Sequence, residues 1–209
     1  MQVQGQSGNP PTTASLGVGT AAPLRQGNMG EAIVSELHGR YYEATYRKST
    51  FAAATQAALA STAAFATTYT GLCLSNPIGS NVNLVLNKIG FASILAQTTA
   101  LAFGIMTGFN ASTNVTHTTP GAPSSNFVGG AAGVGLVDTA ATLPVAPTLR
   151  QVLGVVDTGA TTVATVDACE YDLEGDIIIP PGGFAAIYTS SASVAASLLA
   201  SMAWEEVPV

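Results

Sequence analysis

Ionic side chains are scarce in this 209-residue chain: Asp, Glu, Lys and Arg make up 9% of it, against ~25% in an average globular domain. Between residues 51 and 137, Lys88 is the only formal charge. Lys and Arg number six, scattered apart from the Arg47-Lys48 pair, and the net charge is −6. Nucleic-acid binding needs clustered cations to replace phosphate counterions, so that class is excluded. Cysteine is nearly absent as well. Cys73 and Cys169 lie far apart and form no metal-ligand spacing, so buried free thiols are expected, with a disulfide as the alternative. Residues 1–23 have no charge and no continuous apolar core, so the parts of a signal peptide are missing. Two long uncharged runs, 89–109 and 184–204, hold too many hydroxyls and amides for a membrane span.

What remains is Ala, Val, Ile and Leu with abundant Thr, Ser and Gly. The length suits one domain, or one domain with an arm. Residues 1 to about 30 hold few bulky apolar groups and cannot offset their ordering entropy, so they read as a mobile arm. Seven of the 18 charges then fall between Arg25 and Lys48. In residues 51–68 alanine favours helix, yet Phe51, Leu59 and Phe65 share one parity, and the expectation is a strand. Further strands are expected at 67–74, 83–94 and 100–106, the first ending at the Ser75-Asn76-Pro77 turn signal. Residues 118–135 read as a long loop. Pro180-Pro181-Gly182-Gly183 is strong turn chemistry between strands at 176–179 and 184–188. The last strand alternates, with Leu198, Ala200, Met202 and Trp204 on one face; the Trp204 indole N–H then requires an acceptor. Eight to ten strands without βαβ alternation predict an all-β fold, a jelly-roll-like β-sandwich at 51–209 with an extended N-terminal arm at 1–50.

Three patterns invite chemistry. Val155-Val156-Asp157-Thr158-Gly159-Ala160 matches an aspartic-protease loop, which needs a second loop to share one proton between two carboxylates. Residues 135–142 echo residues 154–161, and each copy reads as a strand ending in a turn, so Asp157 is assigned to such a turn. Glu170, Asp172, Glu174 and Asp176, with Asp167 before them, place four carboxylates on one strand face. They imitate half of a calcium loop, but Pro181 stands where the bidentate Glu belongs, and a solvated edge is the preferred reading. His38 and His117 have no nucleophile motif beside them. The glycine-rich run at 129–135 lacks the strand and acid of a dinucleotide loop. Asn110-Ala111-Ser112 and Asn114-Val115-Thr116 are glycosylation triplets by chance. No catalytic residue, metal ligand or cofactor is assigned.

Residues 31–43 (EAIVSELHGRYYE) together with 69–77 (YTGLCLSNP) resemble small virion proteins of tailed bacteriophages. The ending, IIPPGG at 178–183 and WEEVP at 204–208, is similar to the closing hairpin of that group. The resemblance implies a non-enzymatic jelly-roll-like capsid cement or decoration protein, assembled onto the virion in the host cytoplasm. Its implied partners are the major capsid protein and its own copies, as a homotrimer or homodimer, with neither nucleic acid nor membrane. The alternative is a receptor- or glycan-binding head of a spike or fibre. That would need converging exposed aromatics, and Tyr41, Tyr42, Tyr46 and Trp204 do not suggest such a cluster.

Overall fold

The computed structural model describes residues 5–6, 24–25, 39–62, 65–95, 97–156, 168–193 and 196–209. The arm assigned to residues 1–50 lies largely outside these, as do His38, Asp157 with its Thr-Gly-Ala, and Asp167. The chain divides into two compact units, Met1–Tyr42 and Glu43–Val209. In the first, β1 (Gly5–Gln6) pairs in parallel with β2 (Leu24–Arg25), and the Arg40 guanidinium lies over the Tyr41 ring.

The second unit opens within a short helix, α1 (Tyr42–Tyr46), and its other elements are strands. They are β3 (Thr50–Ala54), β4 (Thr68–Ser75), β5 (Val82–Ser93), β6 (Leu101–Phe109), β7 (Thr116–His117), β8 (Ser124–Ser125), β9 (Leu136–Thr142), β10 (Thr148–Val156), β11 (Ala168–Ile179), β12 (Gly183–Thr189) and β13 (Leu198–Pro208). One sheet runs β10-β6-β12-β4-β9-β7 and the other β11-β5-β13-β3-β8, with antiparallel pairing throughout. Without β7, β8 and β9, two four-stranded sheets remain, ordered β3-β13-β5-β11 and β4-β12-β6-β10. Strands one, eight, three and six thus face strands two, seven, four and five, which is the double Greek key of a jelly roll. The long apolar runs that resembled membrane spans are β5–β6 and β12–β13. Among the described residues no helix is long and apolar enough to cross a membrane.

Two apolar layers hold the body together. Between the sheets lie Trp204, Phe103, Leu72, Leu74, Leu84, Leu86 and Ile89, all essentially without solvent contact. On the far side of the six-stranded sheet, Tyr69, Cys73, Met106 and Phe184 pack against Val115 and Leu143 from the segment that joins β6 to β10. That is why Gly183–Thr189 reads as a continuous apolar run: β12 is buried on both faces.

Several expectations need correction. Among the described residues of the alanine-rich stretch, 51–54 belong to β3 and Thr68 opens β4; Leu59 makes an isolated bridge, and Phe65 sits at φ 61° against Tyr188. Shared parity over residues 51–65 therefore did not mean one strand, because the chain leaves the sheet after Ala54. The Pro180–Gly183 turn is type II, with Gly182 at φ 87° and Gly183 N donating to Pro180 O at 2.8 Å. It closes no hairpin, however, since β11 and β12 belong to different sheets. Asp138-Thr139-Ala140 likewise lies inside β9 and forms no turn.

Candidate functional site

The 118–135 loop belongs to a long insertion, residues 110–147, between β6 and β10. It gives the fold its distinctive surface. Its strands β8 and β9 extend the sheets beyond β3 and β4, and β7 extends the second of these further. On that side of the sandwich, short pieces cover the unpaired strand edges. Three polar clamps organise the insertion: one within it and two that join it to the body.

The first clamp is a histidine–aspartate pair. Asp138 is fully buried within β9, where its Oδ2 meets His117 Nδ1 and its Oδ1 accepts from Thr119 N at 3.1 Å. A buried carboxylate must be hydrogen-bonded to be tolerated, and these two contacts supply that need. Burial holds the His117 pKa below its ordinary value, so the ring is neutral at pH 7 and its Nδ1–H donates to the carboxylate. Sequence spacing gave no hint of this pair, because His117 and Asp138 meet only through the β7–β9 ladder.

The second clamp is Glu206. Its carboxylate accepts from Val134 N at 2.8 Å, from Gly135 N at 2.8 Å and from the Trp204 indole at 3.4 Å. The glycine-rich run therefore does cradle an anion, and the anion is the chain's own side chain. A Cβ at Gly133 would crowd Glu206 Oε1, so a larger residue there would push the carboxylate away from the two amides. Trp204 finds here the acceptor that its burial demands.

The third clamp sits at the end where the β4–β5 loop, the insertion and the Pro180–Gly183 turn meet. Asn76 donates through Nδ2 to Val82 O at 2.8 Å and to Ile179 O at 2.9 Å. Its backbone pairs with Gly182 and Gly183. Asn114 Oδ1 accepts from Ile78 N, and Asn110 Oδ1 caps Ser112 and Thr113. Both glycosylation-type asparagines thus have structural work. A cavity of about 250 Å³ lies among Asn76, Asn114, His117 and Leu136.

The remaining candidates are placed as follows. Glu170, Asp172, Glu174 and Asp176 are exposed on β11, the edge strand of the five-stranded sheet. Glu170 pairs with Lys88 at 2.8 Å. A bulge at Glu174-Gly175, both with positive φ, breaks the single carboxylate face expected from alternation. Among the described residues no three His, Cys, Asp or Glu side chains gather closely enough to hold a metal ion. Cys73 is a free buried thiol whose pKa burial pushes up to about 12. The side chain of Cys169 lies outside the described residues. Tyr46 is exposed at α1, whereas Trp204 is wholly buried, so they share no aromatic platform.

Opposite the insertion, β10 and β11 are the long edge strands of the two sheets. Val152 and Val155 on β10 and Ile178 on β11 are more than half exposed. An open groove of about 560 Å³ runs between the start of β10 and the end of β11, with Phe109, Val145 and Ile178 along it. Comparison with known proteins finds no matching family model, no similar curated protein and no similar solved structure.

Proposed function

We propose that this protein is a non-enzymatic structural subunit of a tailed-bacteriophage virion, a capsid cement or decoration protein that binds the major capsid protein and its own copies. One observation carries the reading: a jelly roll whose strands from β3 through β8 bear a single charge, Lys88. Exposed surface of that kind is weakly hydrated and gains from being covered by other protein. The architecture supports the same reading. The insertion stiffens one side through its clamps, and apolar Val152, Val155 and Ile178 remain on the other. Affinity for a shell would arise from many repeated weak contacts.

Co-sedimentation of the full chain with purified tailed-phage capsids assembled without it tests this. Saturable binding at a fixed ratio to the capsid lattice is expected. Binding to host cells without binding to capsids would replace the reading with a receptor-binding head. Peptide cleavage abolished by Asp157→Ala would replace it with an enzyme.

A further inference from the structure

Among the described residues, Asp138 is the only Asp, Glu, Lys or Arg that is buried, and no cation among them faces it. Its two partners are the neutral His117 ring and the Thr119 amide. A buried charge is ordinarily paired with an opposite one. The imidazole carries the influence of this charge outward. With Nδ1–H committed to Asp138, His117 Nε2 is an acceptor, and no donor among the described residues meets it. His117 lines the cavity of about 250 Å³ together with Ser75, Asn76, Asn114 and Leu136. Asn76 brings a second acceptor. Its Nδ2 donates to Val82 O and Ile179 O, which fixes the amide orientation and leaves Oδ1 buried with no hydrogen-bond partner. Ser75 and Asn76 are buried, whereas Asn114 is exposed and His117 partly so, which gives the cavity a floor and a mouth. No Asp, Glu, Lys or Arg lines it.

We infer that this cavity binds a primary ammonium group, which donates to His117 Nε2 and Asn76 Oδ1 and balances the Asp138 charge through the imidazole. An ammonium offers three donors and no acceptor, which matches two acceptors that lack donors. A hydroxyl donates once, so it would leave one acceptor unmet and the carboxylate uncompensated. An anion would meet two lone pairs with Asp138 behind them. A structural metal ion needs about four ligands, and the described residues gather no such set. The cavity is smaller than the ~300 Å³ at which pockets for drug-sized ligands begin, so it admits a head group on a short stem. A free alkylamine and the lysine side chain of a neighbouring protein carry this same chemistry. The site does not depend on the virion reading, since a free amine would bind the chain away from any capsid.

Titration of the full chain with butylammonium at pH 8, followed through the imidazole nitrogen resonances, tests the site. At that pH the amine is protonated and His117 is neutral. The His117 Nε2 resonance, identified by its loss in His117→Gln, should shift saturably. Tetramethylammonium, which has the charge but no N–H, should leave it in place. Calorimetry should show butylammonium binding to His117→Gln weakened roughly tenfold or more, as expected for one lost charge-assisted hydrogen bond. An equal shift with Nα-acetyl-lysine amide assigns the head group to a lysine side chain, and a shift with butylammonium alone assigns it to a free amine. A resonance that ignores butylammonium, or moves equally with tetramethylammonium, overturns the site and leaves ordered water as the partner of Asn76 Oδ1. Neither outcome alters the capsid co-sedimentation, so the two readings fail separately.

Discussion

His117 and Asp138 show how a single pair can hold two strands of one insertion, β7 and β9, against each other. Burial depresses the folded-state pKa of His117, so the unfolded chain binds more protons once the pH falls near the ordinary histidine value. Stability from this group is therefore full above pH ~6.5 and is lost as pH falls through that value towards the folded pKa. The urea midpoint should drop across this window in the parent chain, and His117→Gln should flatten that portion of the profile. Asn76 is the second decisive residue. Asn76→Ala would take the side-chain donor from the buried carbonyl of Ile179 and leave Val82 O with Ser80 Oγ. The loss should be about 1–2 kcal/mol, read as a lower urea midpoint with unchanged slope. Neither role could be read from sequence. Asn76 was legible only as turn punctuation, and His117 only as an isolated histidine, because their partners arrive through strand pairing over long sequence separations.

Among the elements, the insertion at 110–147 most distinguishes this jelly roll, and it depends on Glu206. Glu206→Ala should free the Val134 and Gly135 amides, raising their hydrogen-exchange rates while the β5 and β13 amides stay protected. Equal protection in parent and variant would show that the clamp does not hold the loop. Most of the eight jelly-roll strands were legible beforehand, because alternation and turn residues are local signals. β5 shows where alternation misleads: Leu84 and Leu86 face the core at even positions, then Ile89 and Phe91 at odd ones. The switch occurs at Asn87, which has no partner in either neighbouring strand. The short strands β7 and β8 were hidden in what reads as loop, since two residues carry no periodicity. The Pro180–Gly183 turn was recognised from its chemistry, yet turn chemistry does not state whether the flanking strands share a sheet. The same limit made the Asp138 string look like a turn.

For the whole molecule, scarcity of charge is the property that the fold has to reconcile with solubility. The body meets part of that demand itself, since the insertion covers the outer face of the six-stranded sheet and blunts two edges. The described surface beyond it gathers carboxylates along β11 and is elsewhere weakly charged, and on this account neighbouring protein covers the uncharged part. Sedimentation velocity of the full chain over a wide concentration range tests that claim most directly. The account predicts that the average mass climbs above that of one chain as concentration rises. A single monomeric boundary at every concentration, unaltered by added capsids, would contradict it.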